Sequence, residues 1–160
     1  MIPFELARNI ASFAHKGQVD KAGNPYINHI RSVSGLLYGE EDYIRIAAEL
    51  HDIVEDTEFT CEKLREFRVP EESIEIIRLV TRDKSDGKTY LEWIQSIVDS
   101  GNIGAMKVKY ADNLHNSLPW RICSLEKKEQ SIIKRYERAR KILEDGIMAY
   151  YENIKHDGRL

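Results

Sequence analysis

Four ionisable residues fall within one short string, AAELHDIVEDT (Ala47 to Thr57): His51, Asp52, Glu55 and Asp56. An imidazole and three carboxylates in this combination can bind a divalent cation and manage the protons of a water molecule. The neighbours sharpen the point. Ile44, Ile46, Ala47, Ala48, Leu50, Ile53 and Val54 make the segment apolar enough for a core helix. Charge buried there without compensation is costly, so the string needs a bound cation or a basic partner. On a helix, His51 lies one turn before Glu55, and Asp52 one turn before Asp56. Two adjacent polar rows result. One row can hold a metal while the other handles water or substrate.

Two further segments supply candidate ligands. His29 lies in YINHI, on the inward side of a helical pattern, and Asp112 lies in VKYADNLHN among Val108, Ala111 and Leu114. Two imidazoles and two carboxylates suit Mn²⁺, Fe²⁺ or Zn²⁺ with positions left open for water. Thiolate-rich structural zinc is excluded, because the chain has only 2 cysteines. Each candidate alone has a plain reading. A single histidine is more often a core or surface residue, and an aspartate near a helix end is more often an ion-pair partner. The joint pattern, on separate apolar helices, is much rarer by chance.

The elements that must carry these residues read as helices throughout. Pro3 to His15 has Phe4, Leu6, Ala7, Ile10, Ala11 and Ala14 at helical spacing, with Pro3 suited to a first turn. Gly17 to Pro25 (GQVDKAGNP) is a loop. Tyr26 to Tyr38 and Glu41 to Val54 are the next two helices. Thr60 to Phe67 is short, with Thr60 as N-cap. Pro70 opens a helix through Ile74, Ile77 and Val80, and Asp83 to Lys88 is a polar loop. Thr89 to Ser100 is helical, Gly101-Asn102 is a break, and Ile103 to Leu114 is a helix ending near Asn116 before Pro119. Leu125 to Ile154 is a long amphipathic helix with a stripe of Ile132, Ile133, Tyr136, Ala139, Leu143, Ile147, Tyr150 and Ile154. No segment alternates with period two, so the predicted class is all-α.

Composition bounds the function. The chain has 160 residues, enough for one domain with a real core. A net charge of -3 gives no general support to nucleic-acid binding, although local basic clusters can hold a phosphorylated small molecule. No apolar run approaches the roughly 20 residues that span a bilayer. MIPFELARNI lacks a basic region followed by a long apolar run, so no signal peptide is expected. Cys61 and Cys123 are far apart and read as reduced packing thiols of a cytoplasmic protein.

Three strings carry a resemblance: AHKGQVDKAGNPYINH (Ala14 to His29), LHDIVEDT (Leu50 to Thr57) and VKYADNLHN (Val108 to Asn116). The order His29, His51-Asp52, Asp112 resembles the HD-domain metal-dependent phosphohydrolases. The three strings together resemble the hydrolase domain of RelA/SpoT proteins, in its free-standing single-domain form, over nearly all of residues 1–160. The resemblance implies an HD-domain helical bundle and hydrolysis of the 3′-pyrophosphate of (p)ppGpp with Mn²⁺. By motif it makes His29, His51, Asp52 and Asp112 the metal ligands, and Glu55 and Asp56 the residues that position and activate water. Lys21, Lys84, Asn116 and Tyr136 match the family's substrate contacts. His15 and His115 read as structural, or as hydrogen-bond partners of the ligands.

This chain departs from the pattern in its first loop. The family often has Arg-Lys there, with the arginine on the guanine base; here the pair is Asp20-Lys21, followed by Ala22. Losing a planar cation that can stack predicts weaker discrimination between guanine and adenine. Asn113 and Ser117-Leu118-Pro119 also depart from the family's string after the metal aspartate. Two other readings stay open: a phosphatase for another phosphorylated nucleotide, and a protein that binds alarmone without cleaving it. Retention of both Glu55 and Asp56 speaks against the last.

Overall fold

A computed structural model of the chain describes residues 3–122 and 131–156. They are helical, as the spacing predicts, and among them there is no strand; an isolated bridge joins Val19 to Pro25. The chain divides into two compact units, residues 1–82 and 83–160.

The first unit holds α1 (Phe4–Ala14), α2 (Ile27–Leu36), α3 (Asp42–Leu50), α4 (Ile53–Asp56), α5 (Cys61–Glu66) and α6 (Glu71–Val80). Helix α3 is its centre and packs on α1, α2 and α6. Ile44 and every residue from Ile46 to Leu50 are buried, so α3 is enclosed almost all round. Leu50 is 0% exposed, and truncating it to Ala should cost about 2–5 kcal/mol. Thr60 caps α5 as expected, its side chain accepting from the Lys63 amide.

Most helices keep their predicted bounds to within two residues among the described residues, but the end of α3 departs further. The helix expected over 41–54 stops at Leu50, and α4 begins only at Ile53. His51 keeps helical angles, but Asp52 sits at φ -98, ψ 0, in the bridge region. The physical reason lies in side chains. The His51 ring takes the Ala48 carbonyl, which would otherwise serve the next turn of backbone N–H groups. The Asp56 amide then bonds the Asp52 carbonyl at 2.9 Å and restarts the helix.

The second unit holds α7 (Tyr90–Asp99), α8 (Ile103–Asn116), α9 (Pro119–Ile122) and α10 (Ser131–His156). Thr89 and Glu92 form a reciprocal capping box at the start of α7, and Asn102 caps α8 through the Ala105 amide. Helix α10 packs on both α7 and α8. Its predicted stripe faces inward: Ala139 and Leu143 are buried and the other stripe residues half-buried. At Gly146 the approach is close, because a Cβ there would come within 2.8 Å of Val98 and 3.1 Å of Met106 Sδ. Positions 125–130 of the predicted long helix, and Cys123, lie outside the described residues. Cys61 is a free, half-buried thiol. No helix of the described residues is long and apolar enough to cross a membrane.

Candidate metal centre

The break between α3 and α4 builds the first part of the site. His51 Nδ1 lies 2.8 Å from the Ala48 carbonyl oxygen. A carbonyl only accepts, so Nδ1 carries the ring proton and Nε2 of the neutral ring keeps its lone pair. Nε2 lies 3.0 Å from Asp52 Oδ2, and His29 Nε2 lies 3.6 Å from the same oxygen. The two imidazoles meet edge-on with centroids 5.4 Å apart, and both residues are 2% exposed. Lone pairs of a carboxylate and a bare ring nitrogen repel at 3.0 Å unless a cation lies among them. Either a proton or a metal relieves the contact. The fixed tautomer of His51 is the one that leaves Nε2 available to a metal, so the donor set fits a divalent ion.

The loop before α2 holds this centre from the side. The Tyr26 hydroxyl donates to Asp52 Oδ2 at 2.6 Å, and its ring lies between His15 and His29, at centroid distances of 5.3 and 5.5 Å. Gln18 links three places. Its Oε1 is 2.8 Å from His15 Nδ1, its amide donates to the Asp56 carbonyl at 2.9 Å, and its own carbonyl accepts from Tyr26 N at 2.9 Å. His15 is thus a buried structural histidine of the α1 end, as one of its two predicted roles has it. Spacing gave no signal for Tyr26 or Gln18. Both act on partners more than twenty residues away in sequence.

Glu55 and Asp56 are both solvent-accessible residues next to this centre in sequence. Glu55 Oε2 lies 3.4 Å from the Arg82 amide. Partial desolvation of the Asp56 carboxyl, on a residue that still reaches solvent, and then the like charge of Asp52 push it above the usual carboxylate range. A carboxylate shifted in this direction is a stronger base than a free aspartate.

Lys21 stands at the exposed tip of the first loop, and Asp20 ties that loop. Asp20 Oδ1 accepts from the amides of Ala22 and Asn24, both at 2.9 Å. The Gly23 amide bonds the Asp20 carbonyl at 2.9 Å, and Gly23 supplies the φ of 82° the turn requires. Asp20 therefore has a structural task that its reading as a lost stacking residue did not include.

In the second unit, Asp112 lies within α8 and is 4% exposed. Lys109 Nζ is 2.7 Å from Oδ2, and Asn116 donates to Oδ1 at 2.7 Å. Lys109 is itself buried and lies 4.6 Å over the Trp93 ring. Sequence reasoning overlooked Lys109, although its place three residues before Asp112 was a usable signal. Tyr90 donates to Asn113 Oδ1 at 2.8 Å and meets the Tyr136 ring at 5.9 Å. Burial pushes the Tyr90 hydroxyl up to about 12. His115 is buried with its ring 5.5 Å from Trp120. Lys84 is exposed in the loop at Asp83–Lys88, where Asp83 Oδ1 accepts from Ser85 N at 2.8 Å and Ser85 Oγ at 2.6 Å.

Comparison with known proteins gives a consistent picture. The chain is 34% identical over 113 residues to the Drosophila melanogaster guanosine-3′,5′-bis(diphosphate) 3′-pyrophosphohydrolase MESH1, covering 66% of this chain and 63% of that one. It is 30% identical over 118 residues to the corresponding 3′-pyrophosphohydrolase of Haemophilus influenzae, covering 67% of this chain and 17% of that protein. A probable GTP pyrophosphokinase of Mycobacterium leprae matches at 30% over 131 residues, or 77% of this chain. The chain spans 16% of that protein's length. In structure, it matches a metazoan ortholog of SpoT that hydrolyzes ppGpp, with a TM-score of 0.73 at 23% identity, over 100% of this chain and 99% of that one. No family model matches the chain.

Proposed function

We propose, from the premise that the chain is a relative in sequence of the (p)ppGpp pyrophosphohydrolases and has their HD-domain helical fold, that it removes the 3′-pyrophosphate of (p)ppGpp. The products are GDP or GTP and pyrophosphate. The observation that carries the reading is the His51 tautomer, with Nδ1 bound to Ala48 and Nε2 facing Asp52 Oδ2.

On this reading residues 1–160 act as one hydrolase domain in the cytoplasm. His29, His51, Asp52 and Asp112 hold the metal, Mn²⁺ by family resemblance, with Fe²⁺ or Zn²⁺ compatible with the same donors. A bound divalent ion lowers the pKa of water to about 7 and offsets charge at phosphorus. The protein's own groups do the rest. Asp56, its pKa raised, accepts a proton from water as the oxygen attacks phosphorus, and Glu55 orients that water. The bond from the ribose 3′-oxygen to phosphorus breaks, and the freed 3′-oxygen takes a proton. Lys21, Lys84, Asn116 and Tyr136 hold the phosphates and the sugar. Asn116 also steadies Asp112 through its amide.

Asp20 supports a second reading, a phosphatase for another phosphorylated nucleotide, because no arginine stands there to stack on guanine. The experiment is a hydrolysis screen with Mn²⁺ of ppGpp against 2′-, 3′- and 5′-phosphorylated nucleotides. Release of pyrophosphate and GDP from ppGpp is expected. Glu55→Ala should retain metal and lose at least about 10²-fold in turnover. Intact ppGpp beside turnover of another nucleotide would transfer the assignment to the second reading. Binding of ppGpp with no turnover of any substrate would leave an alarmone-binding protein.

A further inference from the structure

The second unit carries a basic cleft that the proposed chemistry leaves unused. It has a volume of about 480 Å³, and Thr89, Tyr90, Ser131, Lys134, Arg135 and Arg138 line it. That volume is in the range of small-ligand sites. Lys134 and Arg138 are one helical turn apart on α10, on the same side. Arg135 lies 4.9 Å over the Tyr90 ring. That ring is held in turn, because its hydroxyl donates inward to Asn113.

Carboxylates match several cations outside the cleft: Arg65 with Glu71, Arg78 with Glu75, Lys88 with Asp86, Lys141 with Asp145. Among the described residues, Lys134, Arg135 and Arg138 have no such ion pair, and no carboxylate lines the cleft. Three cations gathered on one wall repel one another, and none of the described carboxylates neutralises them. In a chain of net charge -3 this is not a side effect of general basicity. The Arg135 guanidinium, lying on an aromatic face, has its planar fork of donors oriented before any ligand arrives. Two forks and an ammonium match the oxygens of a diphosphate better than those of a carboxylate, which offers two acceptors and one charge.

We infer that this cleft is an anion site for a diphosphate group. Two sources share that chemistry: the 5′-diphosphate of the substrate proposed above, and the diphosphate of a separate nucleotide. The first source rests on the proposed function; the binding site itself does not.

The test uses the full chain and Lys134→Ala/Arg138→Ala, which leaves the Arg135–Tyr90 contact in place. Calorimetry with inorganic pyrophosphate in the presence of a chelator reads the cleft without metal and without turnover. The expected result is binding that weakens steeply with salt and at least tenfold in the double variant, while Lys21→Ala/Lys84→Ala retains it. Equal pyrophosphate affinity in the wild type and Lys134→Ala/Arg138→Ala overturns the inference, as does absence of binding to the wild type. Steady-state kinetics then separates the sources. A KM for ppGpp raised in the double variant with kcat retained assigns the cleft to the substrate. An unchanged KM beside lost pyrophosphate binding assigns it to a separate ligand. Failure of ppGpp hydrolysis in every protein would remove the proposed function and leave the calorimetric result standing.

Discussion

The two units present their acidic candidate ligands in opposite ways. In the first, the backbone gives way: α3 ends, Asp52 enters the bridge region, and a ring nitrogen faces a carboxylate oxygen at 3.0 Å. In the second, α8 runs unbroken through Asp112, and the carboxylate is compensated on both oxygens by Lys109 and Asn116. The contrast teaches that a buried charge can be supported by irregular backbone or by a partner side chain. In the first arrangement the oxygen faces ring nitrogens, and in the second an ammonium. The second is stable as protein alone, and a metal bound there competes with, or adds to, an ammonium already in place.

The largest expected effect comes from His51→Ala. Bound metal, counted by elemental analysis, and hydrolysis should be lost together, with turnover falling by about 10³-fold or more, as expected when the Lewis acid goes. Full metal content in that protein would erase the contrast between the units.

Lys109→Met comes next. Breaking a buried ion pair leaves Asp112 uncompensated and should cost about 3–5 kcal/mol in the metal-free protein. Urea unfolding with and without Mn²⁺ measures it. A smaller loss with Mn²⁺ present shows that Asp112 can exchange one cation for another; an equal loss confines Asp112 to its protein partner.

Asp20→Arg should have a moderate effect and a revealing sign. If position 20 acts only through stacking, an arginine there gives a gain for guanine substrates. With two backbone amides depending on Asp20, the substitution should instead loosen the turn that carries Lys21. The KM for ppGpp should rise about 3–10-fold, the scale of about 1 kcal/mol for lost hydrogen bonds. Asp20→Asn should behave like the wild type. A selective gain in kcat/KM for guanine over adenine substrates would show that stacking outweighs the turn.

The smallest effect is read with pH. Tyr90 is held neutral up to about 12, against 10.0 for a free tyrosine. As pH rises from 10, the unfolded chain ionises first while the folded one stays protonated, so stability falls until about pH 12. Tyr90→Phe should be slightly less stable than the wild type at pH 7, having lost the bond to Asn113. That gap should close between pH 10 and about 12. A parallel pair of stability curves would place Tyr90 in solvent.

Much of this was written in local spacing. Ile10, Ile30, Ile77 and Leu143 stand at helical intervals and are buried where those intervals put them. Thr60 announced its helix because a cap acts within three residues. The break at His51-Asp52 had no such marker, since neither glycine nor proline stands there and the cause is a ring bonding backward to Ala48. Tyr26 and Gln18 were silent for another reason: their partners are distant in sequence, and only the folded chain brings a hydroxyl to Asp52 or an amide to Asp56. Asp20 was legible as a departure from a family string, but its work on two amides depends on a turn closed by Gly23.

The two candidate phosphate-facing lysines, Lys21 and Lys84, share an arrangement: each directly follows an aspartate whose carboxylate binds the amide two residues on. Freezing one backbone residue costs about 1–2 kcal/mol of conformational entropy. In both loops the aspartate ties the turn at the lysine without a ligand. A phosphate reaching either lysine meets a backbone already tied at that turn, which favours capture by few contacts. The negative charge beside each lysine, unhelpful to an anion at first sight, is what makes the lysine ready.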